Sequence, residues 1–425
     1  MPQPPQSYDV VVVGAGIGGG AAATVLARAG LKVLLLEKTA QHKDVVRGEW
    51  LAPWGVLEAN ALGLTEMYMA AGAHRIATHQ SYNEFQNGPA ADMPLADMVP
   101  EQPLCLGHPQ TCNLLNQAAV EAGVTFLREI RQLKVTAGLP PQVEFIHDKE
   151  SYVFQPKLVI GADGRNGVVA KQIGCTLSQD AEHHLFSGML VEGAHDWPAD
   201  LQVIATEGDA NVLAFPQGQG RVRIYLGWPS ADRQRLLGPE GPQRFLDSWQ
   251  LDCVPAADAI VNATPVSPCI AYPNFDAWVD SPIRPGVVLI GDAAGRNDPI
   301  IGQGLSITLT DVRQLRDALL DEMPDGEAPP AGWSTDVFDA YVTERTERMS
   351  RLRTVARLTT LRESAFGAGG YALRHTIHER LAANEDLAAP FAAGFTGPFA
   401  LPGEVFSDEF TTQIVGQPIW DPALP

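Results

Sequence analysis

Near its start the chain carries residues suited to hold an extended phosphate ligand. An apolar run, Tyr8-Asp-Val-Val-Val-Val13, leads straight into Gly14-Ala-Gly16-Ile17-Gly18-Gly19. At such a turn Gly14 permits the tight reversal, Gly16 lets backbone approach a pyrophosphate, and Gly19 lets a helix pack against the strand. The helix that follows presents unpaired N–H groups and the positive end of its dipole to the phosphates. A second apolar run from Lys32 to Leu36 ends in Glu37. A carboxylate there accepts hydrogen bonds from ribose hydroxyls and repels a 2′-phosphate. With Ile17, Gly18 and Lys38 flanking these contacts, the site predicts NAD or the ADP half of FAD, and not NADP.

Such a site needs strand, helix and strand around it, and the spacing supplies them. Gly30 stands at the helix C-cap, just ahead of the second strand. Two later turns have the same form: Leu158-Val-Ile160 runs into Gly161-Ala-Asp163-Gly164, and Val287-Val-Leu-Ile290 into Gly291-Asp292. Asp292 suits either a ligand hydroxyl or a helix N-cap. Further on, Pro299-Ile-Ile-Gly302-Gln303-Gly304-Leu305 opens a helix whose buried positions are Ile307, Leu309, Val312, Leu315 and Leu319. The start of that helix would stabilise negative charge on a group bound in front of it by about 0.3–1 kcal/mol.

Taken in this order, between residues 9 and 310, the three turns resemble those of the class A flavoprotein monooxygenases, which share the fold of para-hydroxybenzoate hydroxylase. The resemblance implies FAD, bound at Gly14, Gly16, Glu37, Asp163, Gly164, Gly291 and Asp292. Arg47 matches the family's arginine after the second strand, while His108 stands where an arginine commonly opens a helix. Gly167 and Ala170 replace the Ser and Arg usual after the second turn. The family implies NAD(P)H as a transient reductant and O2 as co-substrate. Oxygen then passes through a flavin C4a-hydroperoxide to a hydrophobic, aromatic or polycyclic small molecule. Pro299, Gly302, Gln303 and Gly304 would line the reacting face, with Trp50, Trp54, Phe215, Tyr225 and Tyr272 against the substrate. His79 and Tyr82 lie near that sheet, and no base is singled out.

Two other readings compete. Reductases of the geranylgeranyl-reductase type share the third turn, but two aromatics of their Y-x-W-x-F-P segment are missing from Asn211-Val-Leu-Ala-Phe-Pro216. Binding proteins without turnover, such as GDP-dissociation inhibitors, do not keep the cofactor glycines as a set. Flavin halogenases need W-x-W-x-I-P, which this sequence lacks.

The expected fold is α/β: a Rossmann-type FAD-binding domain (1–75, 104–182 and 271–330) with an inserted β-sheet substrate domain (76–103 and 183–270) and a C-terminal helical segment (331–425). A net charge of −20 disfavours nucleic acid and anionic membranes as partners. The five cysteines form no C-x-x-C pair, in keeping with reduced thiols in a cytoplasm, and no residue spacing predicts a metal. His183-His184 reads as a solvated pair, and Arg345, Arg348, Arg351 and Arg353 as the salt-bridged, solvated face of a long helix ending near Leu361. The tail beyond residue 365 reads as loops with one short helix over His375–Ala383.

Overall fold

Val10–Val13 (β1) and Val33–Leu36 (β2) are wholly apolar, and every residue in them is buried. Parallel strands covered on both faces have this composition. Thr125–Leu127 (β3), Leu158–Gly161 (β4) and Val287–Leu289 (β5) join them in the order β5-β4-β1-β2-β3, with Ile283–Arg284 antiparallel at the β5 edge. Val10 pairs with both Val33 and Leu158, so β1 is central. The computed structural model describes residues 7–44, 46, 48–86, 93–323 and 325–424.

Alternate side chains serve opposite faces of this sheet. Val10, Val12, Val33 and Leu35 pack with Ile17–Arg28 (α1), His108–Glu121 (α2) and Gly304–Asp321 (α3). Val11, Val13, Leu34 and Leu36 pack with Val135, Val143 and Phe145 of a three-stranded antiparallel sheet. On α3 the five apolar positions expected from helical spacing, Ile307 to Leu319, are all at most 2% exposed.

A second sheet of eight strands is mostly antiparallel and holds His184–Glu192, Val222–Trp228, Ala210–Pro216 and Leu201–Glu207 as successive neighbours. Thr78–Asn83 adds in parallel beside Leu201–Glu207, and Ile270–Asn274 pairs with His184–Glu192. One face buries Val212, Ala214, Ile224 and Leu226 against Phe245 and Ile260 of two short helices. The other face carries Phe186, Leu213, Phe215 and Tyr225. No described helix is long and apolar enough to cross a membrane.

Asp339–Glu363 (α4) forms as the sequence predicts, but its arginines do not sit on a solvated face. Arg345 and Arg348 are 6% and 1% exposed. Both donate to Asp311 of α3, Arg345 from Nε at 3.1 Å and Arg348 from Nη2 at 2.7 Å. Arg345 also donates to the carbonyls of Gly291, Ala294 and Gly295. Arg351 caps Pro398 and Leu401 carbonyls, and Arg353 lies 3.8 Å over the Trp278 ring. A buried carboxylate and a cluster of inward carbonyls demand this positive charge. The following helix, Gly367–Ala383 (α5), starts earlier than expected, because Gly370 fits against the backbone of Ala365, and Arg374 donates to the Ala365 carbonyl at 2.8 Å.

Arg348→Met keeps the volume and removes one partner of a fully buried carboxylate. It should destabilise the fold by about 3 kcal/mol, read as a lower urea midpoint at unchanged slope.

Candidate active site

The carboxyl ends of β1, β4 and β5 open on a cavity of about 880 Å³ that extends to the aromatic face of the second sheet. Gly14 turns out of β1 with φ +98°, and a Cβ there would lie 2.5 Å from the Ala162 carbonyl oxygen. Gly19 does not line the cavity: a Cβ on it would fall 1.7 Å from the Gly14 oxygen, so its place is the close approach of α1 to β1. Gly16, Gly164 and Gly304 line the cavity with nothing within 4 Å of their Cβ positions. Ile17 and Gly18 complete this cradle of bare backbone.

Glu37 is held in place beside it. Oε2 accepts from the Ala15 N–H at 2.9 Å, and Oε1 accepts from the N–H and hydroxyl of Thr39. Lys38 lines the cavity next to it, whereas Arg47 lies outside the described residues. Asp163 uses Oδ2 to accept from Val168 and Val169 N–H, leaving Oδ1 buried without a hydrogen bond, and burial pushes its pKa up. A Cβ on Gly167 would lie 2.2 Å from that carboxylate, so a serine would collide with Asp163 as it stands.

Gly291 donates its N–H to Asp311 at 2.8 Å, and Asp292 lines the cavity with Arg165 Nε 4.0 Å away. Asp298 caps the turn Pro299–Ile301 by accepting from Ile300 N–H at 3.0 Å. Gly302 then takes φ +67°, with Trp50 only 2.9 Å from where a Cβ would stand. Pro299, Gly302, Gly304 and Leu305 all face the cavity. Gln303 and Trp54, expected on the reacting and substrate surfaces, do not. They are buried behind it, where Trp54 Nε1 donates to Gln303 Oε1 at 2.7 Å and Gln303 Nε2 donates to the Gly394 carbonyl. Each satisfies a polar group of the other away from solvent.

Trp50, Phe215, Tyr225 and Tyr272 form the far wall, joined by Phe186 and Leu213. Trp50 Nε1 donates to Gln202 Oε1 at 2.7 Å, and its ring lies 5.8 Å from Phe215. His79 stands behind this wall on Gln202; burial, aided by Arg362, lowers its pKa to about 4, so it is neutral. His108 lines the cavity with its ring against Gly48. The sequence reading missed Glu49, also in the wall, which accepts from the Tyr225 hydroxyl at 3.1 Å. Its neighbours Gly48 and Trp50 and the alternation of Arg223 with Tyr225 along one strand were the available signals.

These residues fit an extended dinucleotide: bare glycine backbone at one end, an oriented carboxylate beside it, and a helix start at the other. The FAD binding domain family matches residues 7–356, and the chain belongs to it. It is an FAD-binding flavoprotein with the fold of the class A flavoprotein monooxygenases. Digeranylgeranylglycerophospholipid reductase 1 of Methanococcoides burtonii is 27% identical over 315 residues, 70% of this chain and 71% of the relative. Squalene epoxidase erg1 of Aspergillus fumigatus is 25% identical over 377 residues, 86% of this chain and 76% of the relative. The solved ternary complex of aklavinone-11 hydroxylase with FAD and aklavinone matches with a TM-score of 0.70 at 17% identity, over 85% of this chain and 70% of that one.

Beneath the Pro299 turn lies a charged cluster that sequence spacing did not reveal. His183 and His184 are not a solvated pair: His184 is buried against Asn274, and His183 Nδ1 lies 3.0 Å from Asp298 Oδ2. Asp180, His183 and Asp276 bring ligand-type atoms within 4.8 Å of one another. Arg353 occupies this charge, 3.2 Å from Asp180 and 4.0 Å from Asp276. Burial, with Asp298 alongside, pushes the Asp276 carboxyl from 3.8 to about 7. An acid that holds its proton more tightly when folded loses stability as pH rises between those two values. The protein should therefore weaken from pH 3.8 to about 7 through this group and level off above. Asp276→Asn should remove that fall, raising stability near neutral pH by roughly 2–4 kcal/mol relative to acid. Urea unfolding of both proteins across that range checks it, and parallel pH profiles would refute it.

Proposed function

We propose that this chain is an FAD-dependent monooxygenase that uses NAD(P)H and O2 to hydroxylate or epoxidise a hydrophobic, aromatic or polycyclic small molecule. One observation carries the reading: a single cavity runs from the glycine cradle to an aromatic wall, so the cofactor ring and an apolar substrate would share it. In this reading Gly14, Gly16, Ile17, Gly18, Glu37 and Lys38 hold the ADP end. Asp163, Gly164, Gly291 and Asp292 hold the middle. Pro299, Gly302 and Gly304 present backbone to the ring, with Leu305 packed beside it. The division into a cofactor domain, an inserted substrate sheet and a C-terminal helical segment belongs to the same proposal.

Bound flavin supplies the redox chemistry and oxygen activation. The protein's part is position, charge and exclusion of water. The α3 start favours negative charge at the adjoining end of the cofactor. Trp50, Phe186, Phe215 and Tyr272 orient an apolar substrate and keep water from it. With one dinucleotide fingerprint in the chain, NAD(P)H must visit transiently. A flavin-dependent reductase is the second reading, favoured by the reductase relative; the incomplete aromatic segment at Asn211–Pro216 weighs against it.

The purified protein should be yellow and should consume NAD(P)H and oxygen faster with an aromatic acceptor, giving a product that carries one labelled oxygen atom. Alkene reduction without oxygen incorporation would replace this reading with the reductase. Gly16→Val places a side chain where the cradle is open, and should lower FAD affinity by at least about tenfold with far-UV dichroism unchanged.

A further inference from the structure

The turn that begins at Pro299 faces the cavity on one side, and on the other it is tied to two distant segments through Asp298. That residue is fully buried. Its Oδ1 accepts from the Ile300 N–H at 3.0 Å, and its Oδ2 accepts from His183 Nδ1 at 3.0 Å. Its own N–H donates to Asp276 Oδ1 at 3.1 Å. Burial opposes the charge on Asp298, yet His184 and His183 hold its carboxyl below the ordinary range.

Both segments are roots of the aromatic wall. His183 directly precedes the strand His184–Glu192, which carries Phe186. Asp276 closely follows Ile270–Asn274, which carries Tyr272. Phe186 and Tyr272 both line the cavity. The His183 N–H donates to the Asn274 carbonyl at 2.9 Å, so the two strands reach the turn together. Ala277 pairs with Arg296 as the last rung of a short ladder, and beyond it side chains carry the connection. Arg353 of α4 closes the group from outside, 3.2 Å from Asp180.

We propose that His183 is a positioning residue: by donating to Asp298 it sets the turn that faces the cofactor ring against the aromatic wall that faces the substrate. The inference rests on the reading that cofactor and apolar substrate share this cavity. His183 itself does not line it. Without this donor, Asp298 keeps a buried oxygen unpaired, and the side chain that caps the turn loses its fixed direction. The turn would then shift relative to Tyr272 while both remain folded.

The test compares the FAD-saturated holoenzymes of wild type, His183→Phe and His183→Asn by the fluorescence decay of the bound flavin. Tyrosine and tryptophan quench that emission at a rate that depends steeply on distance, so the decay reports the gap between ring and wall. Phenylalanine keeps a ring and removes the donor, whereas asparagine carries an amide N–H close to where Nδ1 stands. Wild type and His183→Asn should share one short lifetime, and His183→Phe should show a longer, broader decay. FAD should bind His183→Phe about tenfold more weakly, as loss of one hydrogen bond to a charged acceptor predicts. His183→Asn should stay within about threefold of wild type. If His183→Phe folds poorly, Asp298→Ala and Asp298→Asn make the same comparison from the other side. The amide still accepts from Ile300 and donates to the imidazole, and the methyl group does neither. Unchanged decay and affinity in every variant would overturn the proposal. So would a His183→Asn protein as impaired as His183→Phe, or lower urea midpoints with an unchanged decay, which mark a purely structural role. The readout needs no turnover. A protein that shows these contrasts yet transfers no oxygen would refute the proposed reaction and leave the positioning role standing.

Discussion

Asp311 is the point on which the cofactor end of the molecule depends. It is fully buried on α3, and one carboxylate receives the Gly291 N–H, Arg345 Nε and Arg348 Nη2. Those bonds tie the turn after β5, the helix that begins at Gly304 and the long helix α4 to a single centre. The segment between Gly291 and Gly304, which holds Pro299 and Gly302, is therefore fixed at both ends. Arg345 adds three carbonyls of the same turn. Buried charges of this kind gain little stability over apolar packing, but they have few alternative arrangements. Geometry is what this clamp supplies, and a turn that presents bare backbone to a cavity needs geometry more than it needs energy.

The parts of the fold that were legible in the sequence are those set by local backbone and side-chain period. Continuous burial of β1 and β2, the turn at Gly14, the contact that only Gly19 permits, and the apolar stripe on α3 each follow from residues close in sequence. Arg345 and Arg348 show where that reasoning ends. Their helix does form the Glu344–Arg348 and Glu347–Arg351 pairs that its spacing predicts. Whether such a face meets water or a buried carboxylate is decided by Asp311, a residue on another element. Gln303 and Trp54 fail for the same reason, since Gln303 donates to the Gly394 carbonyl of the C-terminal segment and Trp54 donates in turn to Gln303. The Asp180, His183 and Asp276 cluster likewise unites separate segments, so no spacing along the chain could announce it.

Polar side chains also decide how firmly the aromatic wall is set. Trp50 is pinned through its indole N–H to Gln202, which in turn meets His79, and Phe395 from the C-terminal segment packs on both Trp50 and His79. Because His79 is held neutral by burial, this chain is an uncharged prop whose hydrogen bonds do not change across ordinary pH. Trp54 is locked by Gln303 in the turn that opens α3, so the residue that precedes this helix also fixes the indole behind it. Aromatic rings alone slide past one another at little cost, whereas a ring with its N–H committed has one position. The wall and the cofactor cradle are thus braced by the same C-terminal segment, which touches each of them from behind. A lateral error of an ångström between the two would cost an enzyme of this kind much of its rate, and these buried amides and indoles are what prevents it.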